Sequence, residues 1–127
     1  MKEVIRLINP CNNCTFQGTV DKFQGVKFIN NSAGVTIGCR FTLNVRRNYK
    51  NNGEYKYDQI LIRYMGAERM PFAKKHIKGG TNITAVGSMT SEEWVSSTGK
   101  KQMSVLLNME TCNINYEKIS DTGQLPI

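Results

Sequence analysis

The side chains in this sequence that could act as catalysts are few, and they do not form a recognisable constellation. His76 is the only histidine, so any Ser-His or Cys-His pair would have to use it, and a surface histidine among lysines is the simpler interpretation. Glu92 and Glu93 are adjacent carboxylates, but consecutive residues of a strand point to opposite faces, so we do not expect them to converge on one reacting atom. The sequence contains neither a Walker-type phosphate loop nor a glycine-rich dinucleotide motif. These observations predict that the protein is not an enzyme.

The spacing of the cysteines raises the question of a metal or redox site. Cys11 and Cys14 are separated by two residues, which is the gap of a zinc knuckle or a redox pair. A structural zinc site usually needs a second pair at similar spacing, whereas Cys39 and Cys112 are far apart in the chain. Cys39 occupies an apolar position of a strand pattern, which favours a buried free thiol. We therefore expect reduced thiols, no bound metal and no cofactor.

Cations and aromatic rings are concentrated on two segments, residues 40–49 and 55–63, that we interpret as neighbouring strands. If these strands pair as a hairpin, the rings and the cations share one surface. Rings accept unstacked bases at about 1–3 kcal/mol per base and cations neutralise phosphates, whereas a duplex keeps its bases stacked and does not need the rings. The pattern therefore favours binding of a single-stranded nucleic acid. The candidate contact residues on these segments are Arg40, Arg46, Arg47, Tyr49, Tyr55, Lys56, Tyr57 and Arg63.

A second candidate region lies at a predicted hairpin tip, residues 96–99. Trp94, the only tryptophan, precedes this tip and Lys101 follows it. Trp94 either packs back on the domain or stacks on a base, and we favour stacking. The net charge of +7 and the isoelectric point of about 9.4 also favour an anionic partner.

Alternation of apolar and polar residues dominates the chain and predicts strands that bury one face. The clearest example covers residues 36–47, and the other predicted strands cover residues 15–22, 25–30, 57–64, 82–90 and 101–109. In the last of these, Met103, Val105, Leu107 and Met109 are predicted to face the core. Asn51-Asn52-Gly53 supplies a turn between two of the strands.

One helix is predicted between Glu68 and Lys78. Pro71 suits its first turn, two glycines follow its end, and its apolar side would consist of Phe72, Ala73 and Ile77. Several strands interrupted by one short helix before the last two are the order of an OB fold. We therefore predict an all-β protein, an OB-fold five-stranded barrel with one short helix.

The length of 127 residues fits a single domain. We predict that the domain covers residues 14–116, that residues 1–13 form an N-terminal extension with an added strand at residues 4–8, and that residues 117–127 form a short polar tail. The first ten residues lack the apolar core of a secretory signal, and no apolar run is long enough to span a membrane. We therefore expect an intracellular protein with no membrane partner.

The order of these segments resembles the bacterial and phage single-stranded-DNA-binding protein family, from about Thr15 to Tyr116. In this chain, the segment TFQGTVDKFQGVKFINNSAGVTIGCRFTLNVRRNY is similar to the opening strands of the family. The segment GEYKYDQILIRYMGAERMPFAKKHIKGG is similar to the family's aromatic-led strand, Ala-Glu turn and helix. The segment NITAVGSMTSEEWVSSTGKKQMSVLLNMETCNI is similar to the family's tryptophan-bearing hairpin and last strand. No single motif is specific, but the order, the spacing and the position of Trp94 together make the match strong.

This resemblance implies an OB fold that protects single-stranded DNA during replication, recombination and repair, in the cytoplasm or nucleoid of a bacterial cell. It also implies a homo-oligomer, with a tetramer favoured over a dimer. Tyr49 and Tyr57 align with positions where the family often has base-stacking tryptophans, and Trp94 matches a third stacking residue. Arg63 stands where an aromatic ring is usual. Glu92 and Glu93 stand where the family is generally basic, so phosphate contact at the hairpin should be weaker.

The ending SDTGQLPI departs from the family, whose cellular members carry a long linker and an acidic tip ending in Pro-Phe that recruits partner enzymes. This departure suggests a phage or mobile-element version and leaves open whether the tail recruits replication or recombination proteins. Two other functions stay open. One is an OB-fold protein-interaction subunit of a replication or primosome complex, and the other is a small nuclease, which would need clustered carboxylates and a metal.

Overall fold

The computed structural model describes residues 11–117, most of which belong to strands. The six strands are β1 (Cys14–Val20), β2 (Val26–Asn30), β3 (Thr36–Asn51), β4 (Glu54–Met65), β5 (Asn82–Val95) and β6 (Lys101–Tyr116). A 3-10 turn, Ala67–Arg69, and a helix, α1 (Met70–His76), connect β4 to β5. The predicted extra strand at residues 4–8 and the polar tail beyond residue 117 lie outside the described residues.

The six strands close into a five-stranded barrel because β1 and β2 act as one interrupted strand. Both pair with β3 in succession, with Val20 opposite Leu43 and Val26 opposite Phe41. The sheet runs β1-β5-β6-β4-β3, and β1 returns to β3 to close it. Neighbouring strands are antiparallel except β4 and β6, which are parallel and joined over two residue pairs. The predicted OB fold, a five-stranded barrel with one short helix, is confirmed.

The core lies inside the barrel and consists of the apolar residues of each alternating strand. The largest contribution comes from the middle of β3, where Cys39, Phe41 and Leu43 are buried. Their counterparts on the other strands are Ile62, Tyr64, Ile83, Ala85, Leu107 and Met109. The strand predictions were therefore correct in phase, although β3, β4, β5 and β6 all run further than the alternation indicated.

Helix α1 packs against the barrel through residues spaced at three and four positions. Met70, Ala73 and Ile77 are buried in the core cluster, as expected for one face of a helical turn. Phe72, which the sequence placed on the apolar side, is instead exposed and contacts His76, so that prediction was wrong. His76 is only partly exposed, because its ring also lies 3.0 Å from the Glu117 carboxylate. With seven residues, α1 is far too short to cross a bilayer, and it is the longest helix between residues 11 and 117.

Two residues predicted to face the core lie outside it. Met103 and Val105 are 67% and 56% exposed. The alternation of β6 continues through them without a break, but the hairpin formed by β5 and β6 extends beyond the barrel, where there is no opposite wall to cover their side chains. Leu107 and Met109, further along the same strand, are buried as predicted.

Two thiols sit in or against the core. Cys39 is fully buried, which confirms the expectation from its strand position, and Cys112 packs against the same core. Burial raises the pKa of Cys39 and of Cys112 to about 11, from an ordinary value of 9.0. Both thiols therefore stay protonated in the folded protein well above neutral pH.

These two thiols predict a loss of stability in alkaline solution. In the unfolded chain they ionise near pH 9, whereas in the folded chain they ionise near pH 11, so raising the pH across this interval favours unfolding. We expect the free energy of unfolding, measured by urea denaturation, to fall between pH 9 and pH 11. Because tyrosines and lysines titrate in the same range, the control is a Cys39→Ala, Cys112→Ala variant, whose curve should be flatter. An equally steep curve for the variant would contradict the prediction.

Candidate nucleic-acid interface

Alternate residues of β3 and β4 point away from the core and form one continuous surface, which we call the outer strip. Directly opposed pairs define it along the hairpin: Arg40 with Arg63, Thr42 with Leu61, Asn44 with Gln59, and Arg46 with Tyr57. At about 3.3 Å per residue, the strip from Arg40 to Arg46 is about 20 Å long. Its two ends differ in composition.

The end of the strip nearest the β3–β4 turn combines rings and cations. The Arg46 guanidinium carbon lies 4.3 Å from the centre of the Tyr55 ring, and the Lys50 ammonium lies 4.8 Å from the same centre. Tyr57, opposite Arg46, is 56% exposed. The structure therefore brings Arg46, Tyr55 and Tyr57 together on one accessible face, as the hairpin interpretation predicted.

Two other residues predicted for this surface lie on the other side of the hairpin. Arg47 pairs with the Asp58 carboxylate at 2.7 Å and donates a hydrogen bond of 2.8 Å to the Tyr49 hydroxyl. Asp58 is adjacent to Tyr57 in β4 and so points to the opposite face. The hydrogen bond from Arg47 also holds the pKa of Asp58 below its usual value. Alternation places Lys56 on this far side as well, so Arg47, Tyr49 and Lys56 are separated from the outer strip.

The other end of the outer strip is charged, and a carboxylate already occupies its arginines. Glu92 contacts both guanidinium groups: its Oε2 atom lies 3.5 Å from Nη2 of Arg40, and its Oε1 atom contacts Nη1 of Arg63. Arg63 also donates a 2.9 Å hydrogen bond from Nε to the Asn108 side chain. Lys27 of β2 lies opposite Arg40 and extends the basic region.

Glu92 belongs to the part of the β5–β6 hairpin that projects beyond the barrel, so these contacts hold the hairpin over the outer strip. Trp94 lies two residues further along the same face of β5 and is 50% exposed. Its indole N–H donates a 2.9 Å hydrogen bond to the Ser104 hydroxyl, which fixes the ring across the hairpin. Lys101 pairs with Val95 and lies on the opposite face from Trp94. Trp94 thus adds a ring on the side of the outer strip, whereas Lys101 does not add a cation there.

Depressions interrupt the outer strip, among them an open one of about 650 Å³ beside Thr19, Asn44, Tyr57, Asp58 and Gln59. A shallow one of about 190 Å³ lies beside Arg40 and includes Lys27, Thr42 and Leu61. Another of about 360 Å³, which we call the distal cleft, is lined by Gln17, Gly18, Thr19, Asn44, Arg46, Tyr57, Asn82 and Tyr116. Within residues 11–117, no group of three or more histidine, cysteine or acidic side chains is arranged to hold a metal ion.

Several residues of this surface were not anticipated from the sequence. Lys27, Asn44 and Tyr116 line the depressions. Asn44 could have been found, since it is the polar residue between Thr42 and Arg46 on a strand already predicted to expose that face. Tyr116 could not, because its position depends on how the last strand pairs with its neighbours.

Comparisons with known proteins identify the fold. No protein-family model matches the sequence, and no curated protein matches it. Solved structures do match. A Plasmodium falciparum SSB in complex with single-stranded DNA is 13% identical, with a TM-score of 0.66 over 90% of this chain and 97% of that one. The small single-stranded DNA-binding protein from Streptomyces coelicolor is 14% identical, with a TM-score of 0.60 over 81% of this chain and 93% of that one. At these identities the likeness concerns the fold: the chain has the barrel architecture of two single-stranded DNA-binding proteins.

Proposed function

We propose that this protein binds single-stranded DNA along the outer strip, through phosphate neutralisation and base stacking, and that it catalyses no reaction. The observation that carries the proposal is the exposed group of Arg46, Tyr55 and Tyr57, in which cations and rings occupy one face of the β3–β4 hairpin. Pairing of cations with phosphates does not depend on the base, and rings can stack on any base because every base has a π-face. Such a surface therefore binds single strands of any sequence. The strands and loops that form this surface are those with which OB folds bind oligonucleotides.

The wider role that we propose follows from the resemblance of the sequence to the bacterial and phage family. The protein would protect single strands exposed during replication, recombination and repair in a bacterial cell, encoded by the cell or by a phage. It would act as a homo-oligomer, with a tetramer favoured. Light scattering of the protein with and without oligothymidylate would measure this stoichiometry.

Trp94 provides a direct assay of the proposed function. We expect its fluorescence to decrease on addition of oligothymidylate, because the exposed indole lies on the side of the hairpin that faces the outer strip. Affinity should fall with salt, since each neutralised phosphate of a single strand contributes about −0.7 to the slope of log K against log salt concentration. Contacts from Lys27 and Arg46 would give a slope of about −1.4, because Glu92 holds Arg40 and Arg63.

The control for this assay is a Trp94→Phe variant, whose binding is followed by the anisotropy of a labelled oligonucleotide. It should retain the salt dependence without the tryptophan signal. Blunt duplex DNA of equal length should bind more weakly than the single strand, because its bases are not available to the rings. Failure to retain oligothymidylate at low salt in either assay would refute the proposal.

A further inference from the structure

The distal cleft differs from the rest of the outer strip because five strands contribute to it. One row of directly opposed residues crosses the barrel wall here: Gln59, Asn44, Thr19, Asn82 and Tyr116. The row can form because Gly18 allows β1 to approach β3 closely; a Cβ atom at this position would lie 2.4 Å from the Asn44 carbonyl oxygen. The cleft is therefore a product of barrel closure and does not depend on a surface loop.

The floor of the cleft is held by hydrogen bonds within the protein. Asn82 is only 8% exposed, and its side-chain oxygen accepts hydrogen bonds from Gln17 at 3.3 Å and from Asn115 at 2.9 Å. Its side-chain nitrogen donates to the Thr19 hydroxyl at 3.1 Å. Because its oxygen accepts two hydrogen bonds and one of its two N–H donors is engaged, Asn82 serves as a fixed support and leaves recognition to the residues above it.

The rim of the cleft carries side chains that are exposed and are not held by hydrogen bonds of this kind. Tyr57 and Tyr116 are 56% and 44% exposed and line the cleft, and Arg46 lies beside Tyr57. The side-chain amide of Asn44 has no hydrogen-bond partner among residues 11–117. An asparagine amide presents a donor and an acceptor side by side, which is the arrangement that pairs with the edge of a nucleobase.

We propose that the distal cleft binds one nucleobase of the bound strand and distinguishes between bases at that position. The base would lie against the rings of Tyr57 and Tyr116, with its edge hydrogen-bonded to Asn44 and its phosphate paired with Arg46. The volume of about 360 Å³ falls at the lower end of the range for small-ligand sites, about 300–1,000 Å³. This inference rests on the proposed function and adds to it one position of base preference in an otherwise sequence-tolerant surface.

The test uses the full chain, labelled with ¹⁵N, and the four deoxynucleoside monophosphates as separate probes. We expect the side-chain amide signal of Asn44 and the backbone signals of Gln17 and Thr19 to shift on titration. The dissociation constants of the tightest and weakest nucleotides should differ at least about fivefold, the lower end of what one paired base edge provides. Oligothymidylate binding is measured in parallel with its salt dependence.

Two variants separate recognition from simple contact. Asn44→Ala should reduce the difference among the four nucleotides to less than about twofold, whereas Asn48→Ala, a change of an exposed amide on the same strand outside the cleft, should leave it unchanged. Tyr116→Ala should weaken all four nucleotides, and its control is Tyr49→Ala, a similarly exposed tyrosine on the far side of the hairpin. Both cleft variants should keep the salt dependence of oligothymidylate binding.

The outcomes distinguish this inference from the function on which it rests. If oligothymidylate binds but the four nucleotides bind equally, or shift signals away from the cleft, the inference is overturned and the proposed function stands. An Asn44→Ala variant that keeps the full base preference also overturns it. If neither oligothymidylate nor any nucleotide binds, the proposed function fails and the inference fails with it.

Discussion

Replacing Tyr57 with alanine is expected to weaken the binding of oligothymidylate roughly 5- to 150-fold, which corresponds to about 1–3 kcal/mol for one stacked base. Tyr57 lies opposite Arg46 on the outer strip and is more than half exposed, so its ring is available to a base without any rearrangement. Tyr57→Phe should bind nearly as well as the original protein, because stacking uses the ring and not the hydroxyl. The measurement is a fluorescence titration at fixed salt.

The matched control for this change is Tyr49→Ala. Tyr49 is a tyrosine of similar exposure on the same hairpin, but it is tied to Arg47 on the opposite face. We expect its removal to change affinity less than about twofold. Equal losses from both variants, or no loss from Tyr57→Ala, would show that the outer strip is not the face that binds DNA.

Replacing Glu92 with glutamine is expected to tighten binding. The carboxylate holds Arg40 and Arg63 in two partly exposed ion pairs, and a phosphate must replace it to use both arginines. Exposed pairs of this kind contribute about 0.2–1 kcal/mol each, so their loss should increase the affinity for oligothymidylate roughly 2- to 30-fold. Two additional phosphate contacts would also make the salt slope steeper, by up to about 1.4.

Glu93→Gln is the appropriate control for Glu92→Gln. It removes the same charge from the adjacent residue, but Glu93 lies on the other face of the hairpin and makes no ion pair with residues 11–117. Any effect of net charge alone should appear in both variants. If the two variants tighten binding equally, or if Glu92→Gln weakens it while the fold remains intact by circular dichroism, the carboxylate does not compete with DNA.

Alternation in the sequence was sufficient to predict the barrel and most of its core. The apolar set of Cys39, Phe41 and Leu43 fixed which face of β3 is inside, and so which residues form the outer strip. The alternation could not show where the barrel ends along each strand. Met103 and Val105 continue the same pattern as Leu107, but they lie on a part of the hairpin with no wall opposite, so a correct phase gave a wrong prediction of burial.

The candidate site was predicted only in part. Arg47 and Tyr49 lie on the far face with Asp58 because the alternation of β3 continues through them from Leu43 and Val45, so their closeness to Arg46 in sequence does not place them on its surface. The pairing of Arg40 with Glu92 joins residues 52 positions apart and depends on how the β5–β6 hairpin leans over β3. The first placement follows from the alternation itself, whereas the tilt of a hairpin is not encoded in the polarity pattern of a single strand.

Arg63 also stabilises the short parallel contact between β4 and β6. Only two residue pairs join these strands, and Arg63 spans the seam through its hydrogen bond to Asn108 and its contact with Glu92. A DNA phosphate that bound Arg63 would compete for the side chain that also connects β4 to β6 at this short contact. Local separation of β4 from β6 would then depend on whether DNA is bound. Occupancy by DNA and local opening of the barrel would be linked through one guanidinium group.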